Sequence, residues 1–161
     1  MTALSVDGAW AVLQGIADPE IPVISICDLG IVRDVRVAAE RVEVVVTPTY
    51  SGCPATEMIE SCIREALAAA GASDVRVERQ LSPAWSTDWL AAGAAERLRG
   101  YGIAPPGPRA VDGAQVIRFV PRCPRCDSHR TERLSAFGAT ACKSLHRCVD
   151  CREPFEYFKP L

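Results

Sequence analysis

Apolar residues recur along this chain with two different periods. Val6, Ala9, Trp10, Leu13, Ile16 and Ala17 share one face of a 3.6-residue repeat, which predicts an amphipathic helix over 6–17. Asp18-Pro19 stops it, because a residue before proline is pushed out of the α region. Residues 18–30 show neither period and read as an extended loop. Strands follow at 31–38 and 41–47, the second with Val42, Val44 and Val46 on one face, and the short Ala38-Ala39-Glu40 connection makes them a hairpin. Helical spacing returns in Met58, Ile59, Cys62, Ile63, Ala66, Leu67 and Ala70, with Pro54 suited to the first helical position and Gly71 to the stop. Val75 and Val77 alternate with Arg76 and Glu78 in a third strand over 74–80. A last helix, capped by Ser86 or Thr87, runs to about Arg99, with Trp85 and Trp89 as packing residues.

The order helix, strand, strand, helix, strand predicts an α/β (α+β) fold, a small sandwich of helices over a three- or four-stranded sheet. Pro105, Pro106, Gly107 and Pro108 mark a semi-rigid linker. Beyond it, Val116–Val120 and Phe155–Phe158 supply strands of a separate all-β module. The expected domains are therefore 1–100, a linker over 101–115, and 116–161.

Composition narrows the class. The 161 residues are 48% apolar and 24% charged, which is the balance of a globular chain. No apolar run approaches the roughly 18 residues that a membrane helix needs. Met1-Thr2-Ala3-Leu4-Ser5 has no basic n-region, so no signal peptide is read and a cytoplasmic location is expected. Eight cysteines in that reducing compartment point to metal binding for at least four of them, not to disulfides. The net charge of -2 hides an acidic first part and a basic tail, but thiolate ligation would leave the tail only weakly positive. That excludes a strong nucleic-acid footprint.

Cys123-Pro124-Arg125-Cys126 and Cys148-Val149-Asp150-Cys151 are two C-x-x-C knuckles 21 residues apart. Paired knuckles give closed tetrahedral coordination by four thiolates, hence a structural zinc ribbon with Zn2+ held by Cys123, Cys126, Cys148 and Cys151. His129 and His146 are then surplus to the metal. Cys53 is placed at the N-cap of the central helix, where unpaired N–H groups favour a thiolate and make it a nucleophile or soft-metal ligand. Cys142, in a turn beside Lys143, is a secondary candidate; Cys62 is expected buried and inert, and Cys27 is left open.

Asp18-Pro19-Glu20-Ile21, Asp28-Leu29-Gly30-Ile31-Val32 and Thr47-Pro48-Thr49 with Gly52-Cys53-Pro54 resemble the small domain of metal-sulfur cluster assembly factors, the group that includes SufT-like proteins. With the ribbon, Phe137-Gly138-x-Thr140-x-Cys142-Lys143 and Glu153–Lys159, nearly the whole chain resembles an accessory family of aerobic bacterial phenylacetate degradation. The resemblance implies maturation or insertion of an iron-sulfur cluster for the multicomponent oxygenase that epoxidises the ring of phenylacetyl-CoA, without catalysis of its own. It maps the family's reactive cysteine onto Cys53 and the surrounding motif onto Asp18, Glu20, Asp28 and Thr49, with the [2Fe-2S] reductase component as partner. Pro22 departs from the glycine that many assembly factors carry there.

One thiolate cannot hold a [2Fe-2S] cluster, which takes about four ligands. A transient iron or cluster at Cys53 therefore requires a homodimer, a client cysteine or another thiol such as Cys142. Three rivals remain open at this level: an enzyme using Cys53 as nucleophile, although both histidines lie in the tail; a nucleic-acid-binding ribbon; and a structural component of the oxygenase without cluster chemistry.

Overall fold

The computed structural model describes residues 4–39, 41–107 and 120–161. Its elements are α1 (Val6–Gln14), β1 (Val32–Ala38), β2 (Arg41–Val46), α2 (Ala55–Ala69), β3 (Asp74–Arg79), a 3-10 turn (Thr87–Trp89), α3 (Ala94–Tyr101), β4 (Ile103–Ala104), β5 (Thr131–Ser135), β6 (Lys143–Cys148) and β7 (Pro154–Phe158). They divide into two compact units, one running to Trp85 with Trp89–Ala92 added, the other Ser86–Asp88 with Gly93–Leu161.

The first unit is a three-stranded sheet in the order β1-β2-β3, with helices packed on it, as expected for an α+β fold. β1 and β2 pair antiparallel, Val35 opposite Val44 and Val37 opposite Val42. β2 and β3 pair parallel, so α2 is the crossover that a parallel pair requires. Val42, Val44 and Val46 of β2 are buried in the unit's core, as are Leu13 of α1 and Ile63 and Leu67 of α2.

Two helices differ from the pattern read in the sequence. α1 ends at Gln14, well before Pro19: Gly15 takes the C-cap, and the Asp18 N–H is committed to Ile24 O at 2.8 Å in the following loop. Residues 16 and 17 are drawn into that loop by a bridge between Ala17 and Ser25. In α2 the buried stripe is Ala55, Thr56, Ile59, Glu60, Ile63 and Leu67, whereas Met58 is 58% exposed, Ala70 faces outward and Cys62 is only half-buried. The stripe follows i, i+4 steps, which leave positions 58 and 62 on its rim. Glu60 is tolerated inside because Arg64 and Arg79 both bind its carboxylate; burial alone would raise its pKa, but the two guanidinium groups hold it below the ordinary carboxylate value. Gly71, at φ +103°, then closes the helix, with Ala72 N–H on Leu67 O and Gly71 N–H on Ala68 O.

The expected helix from residue 86 or 87 to Arg99 is two pieces, the 3-10 turn and α3, broken by Gly93 at φ +80°. Between them, Ala91 N–H donates to Asp28 O at 2.8 Å and the Arg33 guanidinium stacks over the Trp89 ring at 3.6 Å. These contacts hold residues 89–92 to the first unit, where Trp85 is also buried with its Nε1–H on Leu29 O at 3.0 Å.

The second unit is a four-stranded sheet in the order β4-β7-β6-β5, parallel between β4 and β7 and antiparallel elsewhere. β4 occupies residues expected to be linker, and its pairing with Glu156 and Tyr157 explains why they are ordered. Linker residues 108–115 and the strand expected over 116–120, except for Val120, lie outside the described residues. Ala104, Cys123, Cys148, Phe155 and Tyr157 make this unit's small core. Among the described residues no helix is long and apolar enough to cross a membrane.

Candidate functional site

The loop between α1 and β1 is built from its polar residues. Asp18 is buried, and its Oδ1 accepts the N–H groups of both Glu20 and Ile21 at 2.9 Å, which turns the chain at Pro19. Gln14 Nε2 donates to Ser25 Oγ at 2.9 Å and to Asp28 Oδ1 at 2.8 Å, while Asp28 N–H donates to Ser25 Oγ at 3.0 Å. Asp18 and Asp28 thus anchor the two ends of one loop, and Glu20 is left exposed between them. Gln14 and Ser25 were not legible as partners, since a polar residue on a helix and a serine in a loop carry no signal alone. Replacing Asp18 by alanine strands two N–H groups, so unfolding in urea is expected to show a loss of about 1–3 kcal/mol. Unchanged stability would show that the turn does not need its carboxylate.

The loop from β2 to α2 carries the thiol. Thr47 and Thr49 are buried, and the Thr47 hydroxyl is a buried group without a hydrogen-bond partner. Cys53 N–H donates to Tyr50 O at 3.2 Å, closing a turn, and Thr56 N–H donates to Cys53 O at 3.2 Å. The helix cap is Pro54, so Cys53 stands one position outside the N-cap expected for it. Its thiol is half-buried. Cys27 is different in kind: burial first, then the charge of Asp28, pushes its thiol up to about 12. A thiol so raised stays protonated and is a poor metal ligand.

In the second unit the Sγ atoms of Cys123, Cys126, Cys148 and Cys151 lie within 4.8 Å of one another. Tetrahedral ligation at about 2.3 Å per bond needs sulfurs roughly 3.8 Å apart. Cys123 and Cys151 are 3.7 Å apart, Cys126 and Cys148 3.5 Å, so the donor set fits such an ion. Arg125 N–H points at Cys123 Sγ from 3.4 Å, and the backbone N–H groups of Cys151 and Asp150 favour the Cys148 thiolate. Four convergent sulfurs with such donors form a closed metal site.

The turn bearing Cys142 is clamped from elsewhere. Glu156 accepts Ala139 N–H at 2.7 Å and Lys143 Nζ at 2.7 Å, and Lys159 Nζ donates to Ala141 O at 2.8 Å. Lys143, expected to act on Cys142, is instead buried in its ion pair with Glu156. Cys142 is itself buried, with Sγ 3.0 Å from Thr140 Oγ1, and the charge it acts on is Lys159. Of the two histidines, His129 is exposed, whereas His146 is buried between Phe155 and Tyr157, with Nε2 2.9 Å from Ser144 Oγ. Burial, aided by the charge of Arg133, holds its imidazole below the ordinary value.

Comparison with known proteins agrees with this division. Residues 7–78 match the family described as iron-sulfur cluster assembly protein, and residues 110–159 match the PaaD zinc beta ribbon domain. A protein of Escherichia coli (strain K12), named as a putative subunit of 1,2-phenylacetyl-CoA epoxidase, is 53% identical over 153 residues, covering 93% of this chain and 90% of its own. A solved domain of unknown function from Bacillus anthracis superposes with a TM-score of 0.54 at 26% identity, over 58% of this chain and 90% of its own. A conserved hypothetical protein from Thermotoga maritima gives a TM-score of 0.53 at 26% identity, over 61% of this chain and 98% of its own.

Proposed function

We propose that this chain, which belongs to the PaaD family of 1,2-phenylacetyl-CoA epoxidase components, serves a phenylacetyl-CoA-epoxidising oxygenase by maturing the iron-sulfur cluster of its reductase component. The observation that carries this reading is the half-buried Cys53 thiol at the mouth of α2, inside the residues that match an iron-sulfur assembly family. Cys53 ligates one iron of the cargo, losing its proton on ligation and regaining it when client cysteines displace it; no electron is transferred. A [2Fe-2S] cluster takes about four ligands. Because Cys142 is buried against Thr140, a second copy of the chain or the client itself supplies the others. Loose ligation suits delivery.

Asp18 and Asp28 hold the first loop in shape, and exposed Glu20 is the carboxylate free to approach iron. The four-cysteine site carries zinc, whose closed coordination gives a structural role, and the ribbon built on it docks the client. The test measures iron and acid-labile sulfide per chain in the reductase from cells carrying this protein, lacking it, or carrying Cys53→Ser. Cluster content is expected to fall several-fold in both altered strains. Full clusters throughout would favour the second reading, a component of the oxygenase assembly without cluster chemistry, in which Cys53 serves only the turn before α2.

A further inference from the structure

The two outer strands of the first unit's sheet differ in character. β1 is broken by a register shift between Val32 and Asp34, and its Arg36 is tied to both Asp34 and Glu43. Irregularity and paired charges of this kind keep an edge from joining another chain. β3, the other end strand among the described residues, runs in unbroken register with β2 and contains no proline. Its Val75 and Val77 are only half-buried, although Val42 and Val44 beside them in the register are sealed. On the opposite face Arg76 reaches Asp74 only at 3.9 Å, while Asp74 is held by Arg41 at 2.6 Å. Glu78 has no ion pair among the described residues. A groove of about 490 Å³ follows this edge, lined by Val75, Arg76, Val77 and Glu78, with Arg64 of α2 and Glu43 of β2. Gly107 and Val120, which flank the stretch outside the described residues, both belong to the second unit.

We propose that two copies of this chain join β3 to β3, antiparallel and centred on Val77, so that their two sheets continue as one. A two-fold axis normal to the sheet keeps every side chain on its own face, so each residue meets one of its own face across the axis. Centring on Arg76 sets Arg76 against itself and Asp74 against Glu78, which like-charge repulsion disfavours. Centring on Val75 calls on Asp74, already committed to Arg41, and leaves Glu78 without a charge to meet. Centring on Val77 sets Arg76 opposite the partner's Glu78 and Glu78 opposite the partner's Arg76, with the two Val77 side chains in contact on the helix face. Both unspent charges of β3 are then paired. The strand supplies both halves of this pattern itself, which selects a second copy over a foreign segment. Because β3 runs parallel to β2, the Cys53 loop lies beyond the C-terminal ends of both strands. In the antiparallel pair Gln80 falls opposite the partner's Asp74, so these ends stand about 20 Å apart along the strands. Two thiols so placed do not share one cluster. On the reading of Cys53 as the cargo ligand, which this consequence rests on and the dimer itself does not, the client supplies the remaining ligands.

The test is sedimentation equilibrium of the full metal-loaded chain over a range of concentrations, for the wild type, Arg76→Glu, Glu78→Arg and the two changes combined. The wild type is expected to dimerise. Each single reversal sets like charges opposite each other at two symmetric places and is expected to raise the dissociation constant about tenfold or more, and the double reversal to restore it. Arg76 and Glu78 are exposed, and unchanged circular dichroism and metal content confirm that the variants are folded. A wild type that stays monomeric overturns the proposal. So does a dimer that both single reversals leave intact, or one that the double reversal fails to restore, since either outcome puts the contact elsewhere or in another register. A monomer whose Cys53 still governs reductase clusters removes only this inference. A dimer with the expected charge dependence but full clusters in Cys53→Ser leaves it standing and removes the maturation reading.

Discussion

Chelating the metal, or replacing Cys123 by serine, is expected to unfold the ribbon sheet while leaving the α+β unit folded. Cys123 and Cys148 are fully buried beside Ala104, Phe155 and Tyr157, so the sulfurs are part of the unit's core as well as its ligands. A module with so few buried residues lacks the apolar area to fold alone. Structural zinc in small domains contributes about 10–16 kcal/mol of apparent binding free energy at neutral pH, as much as the whole stability of an ordinary domain. Without the ion, four sulfurs within 4.8 Å must stay protonated or repel. The measurement is amide-resolved NMR during titration with a strong chelator. Resonances of β5, β6 and β7 are expected to collapse to disordered positions as the metal leaves, and β1 to β3 to persist. A ribbon that keeps its dispersion without metal would mean that Phe155, Tyr157 and Phe158 suffice as a core.

Gly30→Ala is expected to cost the first unit about 2–5 kcal/mol, combining the penalty for an L side chain at positive φ with overpacking. Gly30 sits at φ +76°, and a Cβ there would lie 2.6 Å from Trp89 O and 2.8 Å from Trp89 Cβ. The contact is with backbone, so it cannot be relieved by turning a flexible side chain. Relief requires residues 89–92 to lift away, which breaks the Ala91–Asp28 hydrogen bond and the stacking of Arg33 on Trp89. Thermal unfolding read by tryptophan fluorescence should show a fall of roughly 10 °C or more. An unchanged melting temperature would show that the 89–92 segment is not needed for stability.

The sequence was most informative where one residue type carries both pattern and chemistry. The valines of β2 and the cysteines of the two knuckles are such cases, and both stand where periodicity and spacing put them. Boundaries failed where a distant partner decides them. α1 has apolar residues enough to reach Ala17, but the Ala17–Ser25 bridge and the Asp18–Ile24 hydrogen bond claim those residues for the loop. Lys143 is adjacent to Cys142 in sequence yet is paired with Glu156 on the neighbouring strand, which no local reading could reveal. His146 shows the same limit. It looks surplus in the sequence and is surplus to the metal, yet β-sheet register places it opposite Arg133 on the wall of a cavity. The Asp-Leu-Gly motif was visible as a resemblance, while the reason for its glycine, a close approach by Trp89, required the fold.

The parallel crossover between β2 and β3 also fixes an order of events during folding. The β1–β2 hairpin joins Ala38 to Arg41 across a short turn, whereas the first β2–β3 pair joins Arg41 to Asp74. Closing the longer loop costs about 2 kcal/mol more in chain entropy. Contacts of high sequence separation form late, so the hairpin precedes docking of β3. Cys53 lies inside the crossover loop, and its turn gains a fixed frame only when β3 closes against β2. On a ribosome, that closure waits until Arg79 has emerged, so a nascent chain exposes its motif thiol before the geometry that holds it exists.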